Sequence, residues 1–179
     1  ILSQMTETGV NYANALADAK KQGFAEADPT NDVCGFDAAR KLAILSSIGF
    51  RANVTFDDVL VEGIEKIDKS DIQYAKDMGY TIKLLTVALR QENGIALTVY
   101  PAFLPDNHPL SSVKGAYNAI YVTGNIVDDV MFYGRGAGAL PTASAVMGDV
   151  ISTAQHILNG STGTGMIMTD TKRIPFYSS

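Results

Sequence analysis

The chain has 179 residues, 46% of them hydrophobic and 18% charged, and it carries a net charge of −5. That is the composition of an ordinary folded domain, long enough to bury roughly 70% of its unfolded surface without disulfide or metal staples. An acidic surface argues against nucleic acid or an anionic membrane as partner, because both need a basic patch.

The single Cys34 leaves no internal disulfide and fits a reducing, cytoplasmic setting. One Cys and two His, far apart in sequence, do not make a zinc site, so no metal is expected. No stretch approaches the roughly 20 apolar residues of a membrane span. Thr6, Glu7, Asn11 and Asn14 break up any apolar core of a signal peptide. The chain begins at Ile1 as if inside a helix, so it is expected to be cut from something longer.

The opening segment predicts a helix, with Ala13, Leu16, Ala17 and Lys20 at helical spacing and Gly23 as C-cap. Phe24 to Gly35 reads as a loop. A second helix is predicted from Phe36 to Ser47, with Ala38, Leu42, Leu45 and Ile48 on its apolar face and Gly49 ending it. Val54, Phe56, Val59 and Val61 are strand-like. A short helix follows near Asp71 to Met78, capped by Ser70 or Asp71 and ended by Gly79.

Two β-rich runs, Thr81 to Leu89 and Ile95 to Phe103, flank Gln91-Glu92-Asn93-Gly94 and read as a hairpin. Ala116 to Val122 and Val127 to Tyr133 flank Thr123-Gly124-Asn125 and read as another. The last helix is predicted from Pro141 to Leu158, with Pro141 at its first position. The fold class is α+β, with an antiparallel or mixed sheet of four to six strands and helices on one face. Residues 1–158 form one domain on this reading, and Asn159 to Ser179 form a Gly-, Ser- and Thr-rich tail.

The most informative stretch is the loop and the helix start after it. Glu26, Asp28, Asp32 and Asp37 crowd together there, and Asp37 and Lys41 share a helix face four residues apart. Close carboxylates repel unless a cation answers them. Lys41 is one such cation, and a substrate ammonium is another. Two readings follow: a solvated acidic loop with a surface ion pair, or a site for a small amino compound with Lys41 as proton donor.

The spacing Ala19-x3-Gly23-Phe24-Ala25-x2-Asp28-Pro29-x2-Asp32-Val33-x-Gly35-x-Asp37-x3-Lys41 resembles the signature of homoserine dehydrogenases. Val61-Glu62-Gly63-Ile64, Asp71-Ile72, Gly79-Tyr80-x-Ile82-Lys83-Leu84-Leu85, His108-Pro109-Leu110 and Tyr133-Gly134-Arg135-Gly136-Ala137-Gly138 with Pro141-Thr142-Ala143-Ser144 are similar to the same family, in the same order. The resemblance runs from Ile1 to Leu158.

The resemblance implies interconversion of L-aspartate 4-semialdehyde and L-homoserine with NAD(P)H, on the route to threonine, isoleucine and methionine. It implies that Glu26 and Asp37 hold the substrate amino group. Lys41 then handles the proton on the substrate oxygen, and Asp32 lies in the same substrate shell. Phe24 stands where many relatives carry Tyr, so a contact made by that hydroxyl is absent here. Cys34 falls at a variable position and reads as filler. The residue types suit the reaction. Hydride delivery to an aldehyde leaves an alkoxide that needs a positioned acid, and carboxylates orient a cationic substrate end.

Gly134-Arg135-Gly136-Ala137-Gly138-Ala139 fits G-x-G-x-x-A, yet no following strand with an acidic residue completes a dinucleotide-binding unit. It reads either as a tight turn before a helix or, as the resemblance suggests, as a turn facing the cleft, with Gly136, Gly138 and Thr142 near cofactor. His108 reads as a turn residue, His156 as an ordinary helix residue, and Arg135 as a phosphate contact or a surface ion pair. Tyr74, Tyr80, Tyr100, Tyr117, Tyr121 and Tyr133 read as sheet and core packing.

The family's nucleotide-binding domain has no counterpart here, so NAD(P)H is expected to be bound mainly outside this chain, and the chain alone is expected to fold without turning over. A homodimer through the sheet is expected from the apolar strands and from the family. A non-enzymatic amino-acid-binding or dimerisation module is the alternative. A semialdehyde dehydrogenase with Cys34 as nucleophile is a weaker third and needs an exposed Cys34 paired with a His.

Overall fold

In a computed structural model of the chain, the described residues are 1–136 and 138–161. They fall into two compact units, residues 1–106 and the described residues from Asn107 onward.

In the first unit the expected opening helix is two. Helix α1 (Leu2–Thr8) ends at Gly9, whose φ of 69° is a left-handed cap. Helix α2 (Tyr12–Lys21) starts at Asn11, whose side chain accepts from the Asn14 N–H at 2.9 Å. The turn between Thr8 and Tyr12 thus has its own stop and start residues. The expected loop contains a one-turn helix, α3 (Thr30–Val33). Asp28 Oδ1 accepts from the Thr30 N–H at 3.1 Å and from its hydroxyl at 2.6 Å, which turns the chain into it.

Helix α4 (Phe36–Phe50) runs through Gly49 and stops at Arg51, itself left-handed at φ 53°. Its buried stripe is Ala39, Leu42, Ala43 and Ser46, whereas Leu45 and Ile48 of the expected face are exposed, as is Ile44. The helix lies on Leu42 and the small Ala39, Ala43 and Ser46, and turns Ile44, Leu45 and Ile48 outward.

The stretch expected as a strand from Val54 is mostly not one. Thr55 and Asp58 bond each other's backbone and side chain around a 3-10 turn at Phe56–Asp58, leaving only β1 (Leu60–Val61). Helix α5 (Lys69–Asp77) is capped by Asp68 in a reciprocal box with Asp71. Strands β2 (Tyr80–Gln91) and β3 (Gly94–Pro105) form the expected antiparallel hairpin, from Tyr80↔Pro105 to Gln91↔Gly94. β1 pairs in parallel with β3, Leu60 to Thr98 and Val61 to Val99, giving the order β1-β3-β2.

Two clusters fill this unit. One joins Ala39, Leu42 and Ala43 of α4 to Ile95, Leu97 and Val99 of β3. The other gathers Met5, Ala15, Val33, Ile72 and Ile82 from α1, α2, α3, α5 and β2. Each buried Val, Leu, Ile or Met side chain in them contributes about 1.5–3 kcal/mol. Val33 ties α3 to the core, so the acidic loop hangs from a fixed point.

In the second unit, His108 Nδ1 accepts from the Leu110 N–H at 3.1 Å and caps a 3-10 turn at Pro109–Ser112. Strands β4 (Tyr117–Gly124) and β5 (Asp128–Arg135) pair antiparallel, and Asp128, at φ 53°, closes the hairpin. Helix α6 (Ala139–Leu158) begins two residues before Pro141, and none of its residues is buried. Tyr117 and Tyr133 stack at 4.8 Å on the hairpin, so they pack on each other rather than in a core. On the first unit, Tyr74 is exposed on α5.

The class is α+β, as expected. Among the described residues, five strands divide between a three-stranded mixed sheet and a two-stranded antiparallel one. Asn159 and Gly160 form a turn after α6, and the tail from residue 162 lies outside the described residues. No described helix is long and apolar enough to cross a membrane.

Candidate functional site

The acidic loop and the start of α4 are held by local chemistry. Gly35, at φ 80°, is the N-cap of α4. Asp37 follows in the first turn, where the helix dipole favours a carboxylate. Its Oδ2 lies 2.6 Å from Lys41 Nζ, and both side chains are open to water, at 48% and 68% exposure. Ala39, between them on the opposite face, is fully buried and fixes the rotation of the helix.

The Glu26 backbone and the Asp32 side chain meet across the loop. The Glu26 N–H donates to Asp32 Oδ2 at 3.4 Å, a long bond that places Asp32 beside the Glu26 backbone. Lys20 Nζ donates to the Ala27 carbonyl at 3.0 Å and closes the loop from the end of α2. Arg40 Nη1 donates to Asn31 Oδ1 at 3.0 Å while its guanidinium sits over the Phe56 ring at 5.3 Å. Arg40 therefore straps α3 to α4. The roles of Lys20 and Arg40 are not legible in the sequence, because each depends on a loop folding back. Asp28 is held below the ordinary carboxylate range by the Thr30 hydroxyl and then by the Thr30 N–H. Phe24 is 57% exposed at the head of the loop.

Cys34 behaves unlike a nucleophile. Its thiol donates to Glu65 Oε2 at 3.1 Å, and that bond raises its pKa, with burial adding to it. A reactive cysteine needs the opposite shift. Among the described residues no group of three or more His, Cys, Asp or Glu could hold a metal ion.

The glycine-rich turn lies in the second unit. A side chain at Gly136 would stand 2.5 Å from Asn118 Nδ2, so this glycine makes room for a neighbour on β4. Gly138, at φ 118°, precedes α6, and the Thr142 N–H donates to its carbonyl at 3.1 Å as the first helical bond. The hairpin's and helix's own needs thus account for both glycines and the Thr142 amide. Among the described residues the only parallel strand pair is β1 with β3, and this turn is not part of it. Arg135 lies over the Tyr117 ring at 5.1 Å. The Tyr121 ring is 5.3 Å from His108, and a hydrogen bond to Asp129 raises its pKa.

A family model described as homoserine dehydrogenase matches residues 1–151. The homoserine dehydrogenase of Bacillus subtilis is 46% identical over 167 residues, covering 93% of this chain and 39% of the relative. That of Mycobacterium tuberculosis is 51% identical over 168 residues, covering 91% and 38%. The crystal structure of a homoserine dehydrogenase from Thiobacillus denitrificans superposes with a TM-score of 0.91 at 39% identity, over 97% of this chain and 42% of that one. The Staphylococcus aureus enzyme at pH 6.5 gives 0.81 at 44% identity. The chain therefore spans about two fifths of the length of these relatives. Matched over most of its residues by the family model, the chain belongs to the homoserine dehydrogenase family.

Proposed function

We propose that this chain is the substrate-binding and catalytic part of a longer homoserine dehydrogenase that interconverts L-aspartate 4-semialdehyde and L-homoserine. The observation that carries this is the 2.6 Å pairing of Lys41 with Asp37 at the start of α4, which follows in sequence the loop that holds Glu26 and Asp32. Carboxylates placed so can hold a substrate ammonium while a lysine one turn away meets the oxygen at the far end of a four-carbon substrate. Glu26 and Asp37 bind the amino group, and Asp32 supports the loop and lies near it. Lys41 Nζ gives a proton to the carbonyl oxygen during reduction and receives it back during oxidation.

NAD(P)H supplies the hydride and is bound mainly outside this chain, with Gly136, Gly138 and Thr142 at most at its edge. Residues 1–158 act as one catalytic and dimerisation domain, in the cytoplasm. A homodimer forms through β4 and β5, supported by the exposed Ile120, Val122 and Phe132 on one face of the hairpin. Light scattering of the full-length protein checks this, and a monomer at micromolar concentration counts against it.

NADPH oxidation with the semialdehyde tests the reaction. The full-length protein is expected to turn over, and residues 1–179 alone are not. Turnover by the short chain refutes the division of labour, and its absence in the full-length protein refutes the reaction. The Asp37–Lys41 pair also suits a binder without catalysis, because an exposed ion pair needs no reaction to explain it. A Lys41→Met variant separates the two: a pure binder keeps its affinity and has no turnover to lose.

A further inference from the structure

We propose that Gly63 is a positioning residue for the acidic site, setting the height of the Val33–Gly35 turn from which Asp32 and Asp37 are presented. This rests on the reaction assigned above.

Gly63 follows β1 and lies directly under that turn. A Cβ there would overlap the Val33 carbonyl oxygen and stand 2.6 Å from Cys34 Cα and 2.9 Å from its carbonyl carbon. All three atoms are backbone, so no side-chain rotation relieves the clash. The same Val33 oxygen accepts the Ile64 N–H at 2.8 Å, and the Glu62 N–H donates to the Val99 carbonyl at 2.8 Å. The segment 62–64 is thus fastened on one side to the sheet and on the other to the turn.

On its other side the turn runs close to the sheet. A Cβ at Gly35 would stand 3.1 Å from Val99 Cγ1 and 3.3 Å from Val61 Cγ1, so little space separates the turn from the side chains of β1 and β3. At its outer edge the Cys34 thiol donates to Glu65 Oε2 at 3.1 Å. Asp32 lies one residue before Val33, and Asp37 two residues after Gly35. A methyl at Gly63 must lift the turn off the sheet, and the two carboxylates move with it. A displacement of about 1 Å at a reacting geometry costs on the order of a hundredfold in rate.

The test is Gly63→Ala in the full-length protein, compared with Gly49→Ala, where a Cβ meets nothing within 4 Å. Gly63→Ala is expected to raise the KM for homoserine about tenfold or more and to leave the KM for the nicotinamide cofactor within about twofold. Gly49→Ala is expected to change neither. A lowered melting temperature with an unchanged homoserine KM overturns the proposal, because that is what a purely structural glycine gives.

If Gly63→Ala does not fold, Glu65→Ala carries the test by freeing the outer edge of the turn. A homoserine KM raised severalfold supports the placement, and an unchanged KM overturns it. If the wild-type protein does not act on homoserine, the reaction reading fails by itself. The positioning claim is then read from the amide 1H–15N shifts of residues 33–37 in Gly63→Ala. Shifts confined to that turn support it, and an unmoved turn overturns it.

Discussion

Lys41 Nζ lies 2.6 Å from Asp37 Oδ2, one helical turn along α4, with both groups open to solvent. An exposed pair of this kind is worth only about 0–1 kcal/mol of stability. Lys41→Met in the full-length protein should therefore leave the melting temperature nearly unchanged. Its kcat should fall by roughly 10²–10⁴, the usual range for a lost general acid. Asp37→Asn should act mainly on the KM for homoserine. A Lys41→Met enzyme with near-normal kcat in a stopped-flow NADPH assay removes the lysine from the chemistry.

Gly35 combines a φ of 80° with crowding, because an added Cβ would stand 3.1 Å from Val99 Cγ1. Gly35→Ala should destabilise the fold by about 1–3 kcal/mol through backbone strain and crowding. At this chain length that is about 2–4 °C per kcal/mol in melting temperature. A calorimetric scan with no shift contradicts the strain.

Ser46 is buried on the inner stripe of α4, and its hydroxyl has no hydrogen-bond partner among the described residues. Ser46→Ala removes that unmet group and improves helix propensity, so stability should rise by about 1 kcal/mol. Urea unfolding measures it, and a lower midpoint means the hydroxyl has a partner after all.

The Cys34 thiol donates to the Glu65 carboxylate, and its pKa is raised chiefly for that reason. The folded thiol thus titrates above the unfolded one. The bond adds stability at pH values below the ordinary thiol range, and that stability is lost as pH rises through the folded value. Glu65→Gln should move the midpoint of the alkylation-rate profile downward. An identical profile in wild type and variant would falsify the bond.

Much of the fold is legible in the sequence where local chemistry decides it. The β2–β3 hairpin follows from alternating apolar residues around Asn93-Gly94. The features that mislead are those with two local answers. α4 carries two apolar stripes, and periodicity alone does not say whether Leu45 and Ile48 or Ala39 and Ala43 face the sheet. The apolar residues from Val54 to Val61 look like a strand until Thr55 and Asp58 close on each other. Within the site, the spacing of Asp37 and Lys41 is local and could be read directly. Lys20 bonding Ala27, Arg40 bonding Asn31 and Gly63 beneath Val33 need the folded chain.

The parallel pairing of Leu60–Val61 with Thr98–Val99 also sets an order of assembly. The β2–β3 hairpin closes through a two-residue connection, whereas β1 must wait for a partner that is distant in sequence, and such contacts form late. β1 is only two residues long and leads straight into the segment under the acidic turn. The acidic corner is therefore expected to come together after the hairpin and to loosen before it. The Glu62 and Ile64 amides should then exchange with solvent deuterium sooner than those at the middle of β3. A site assembled in that order gains its binding geometry only once the sheet behind it is complete.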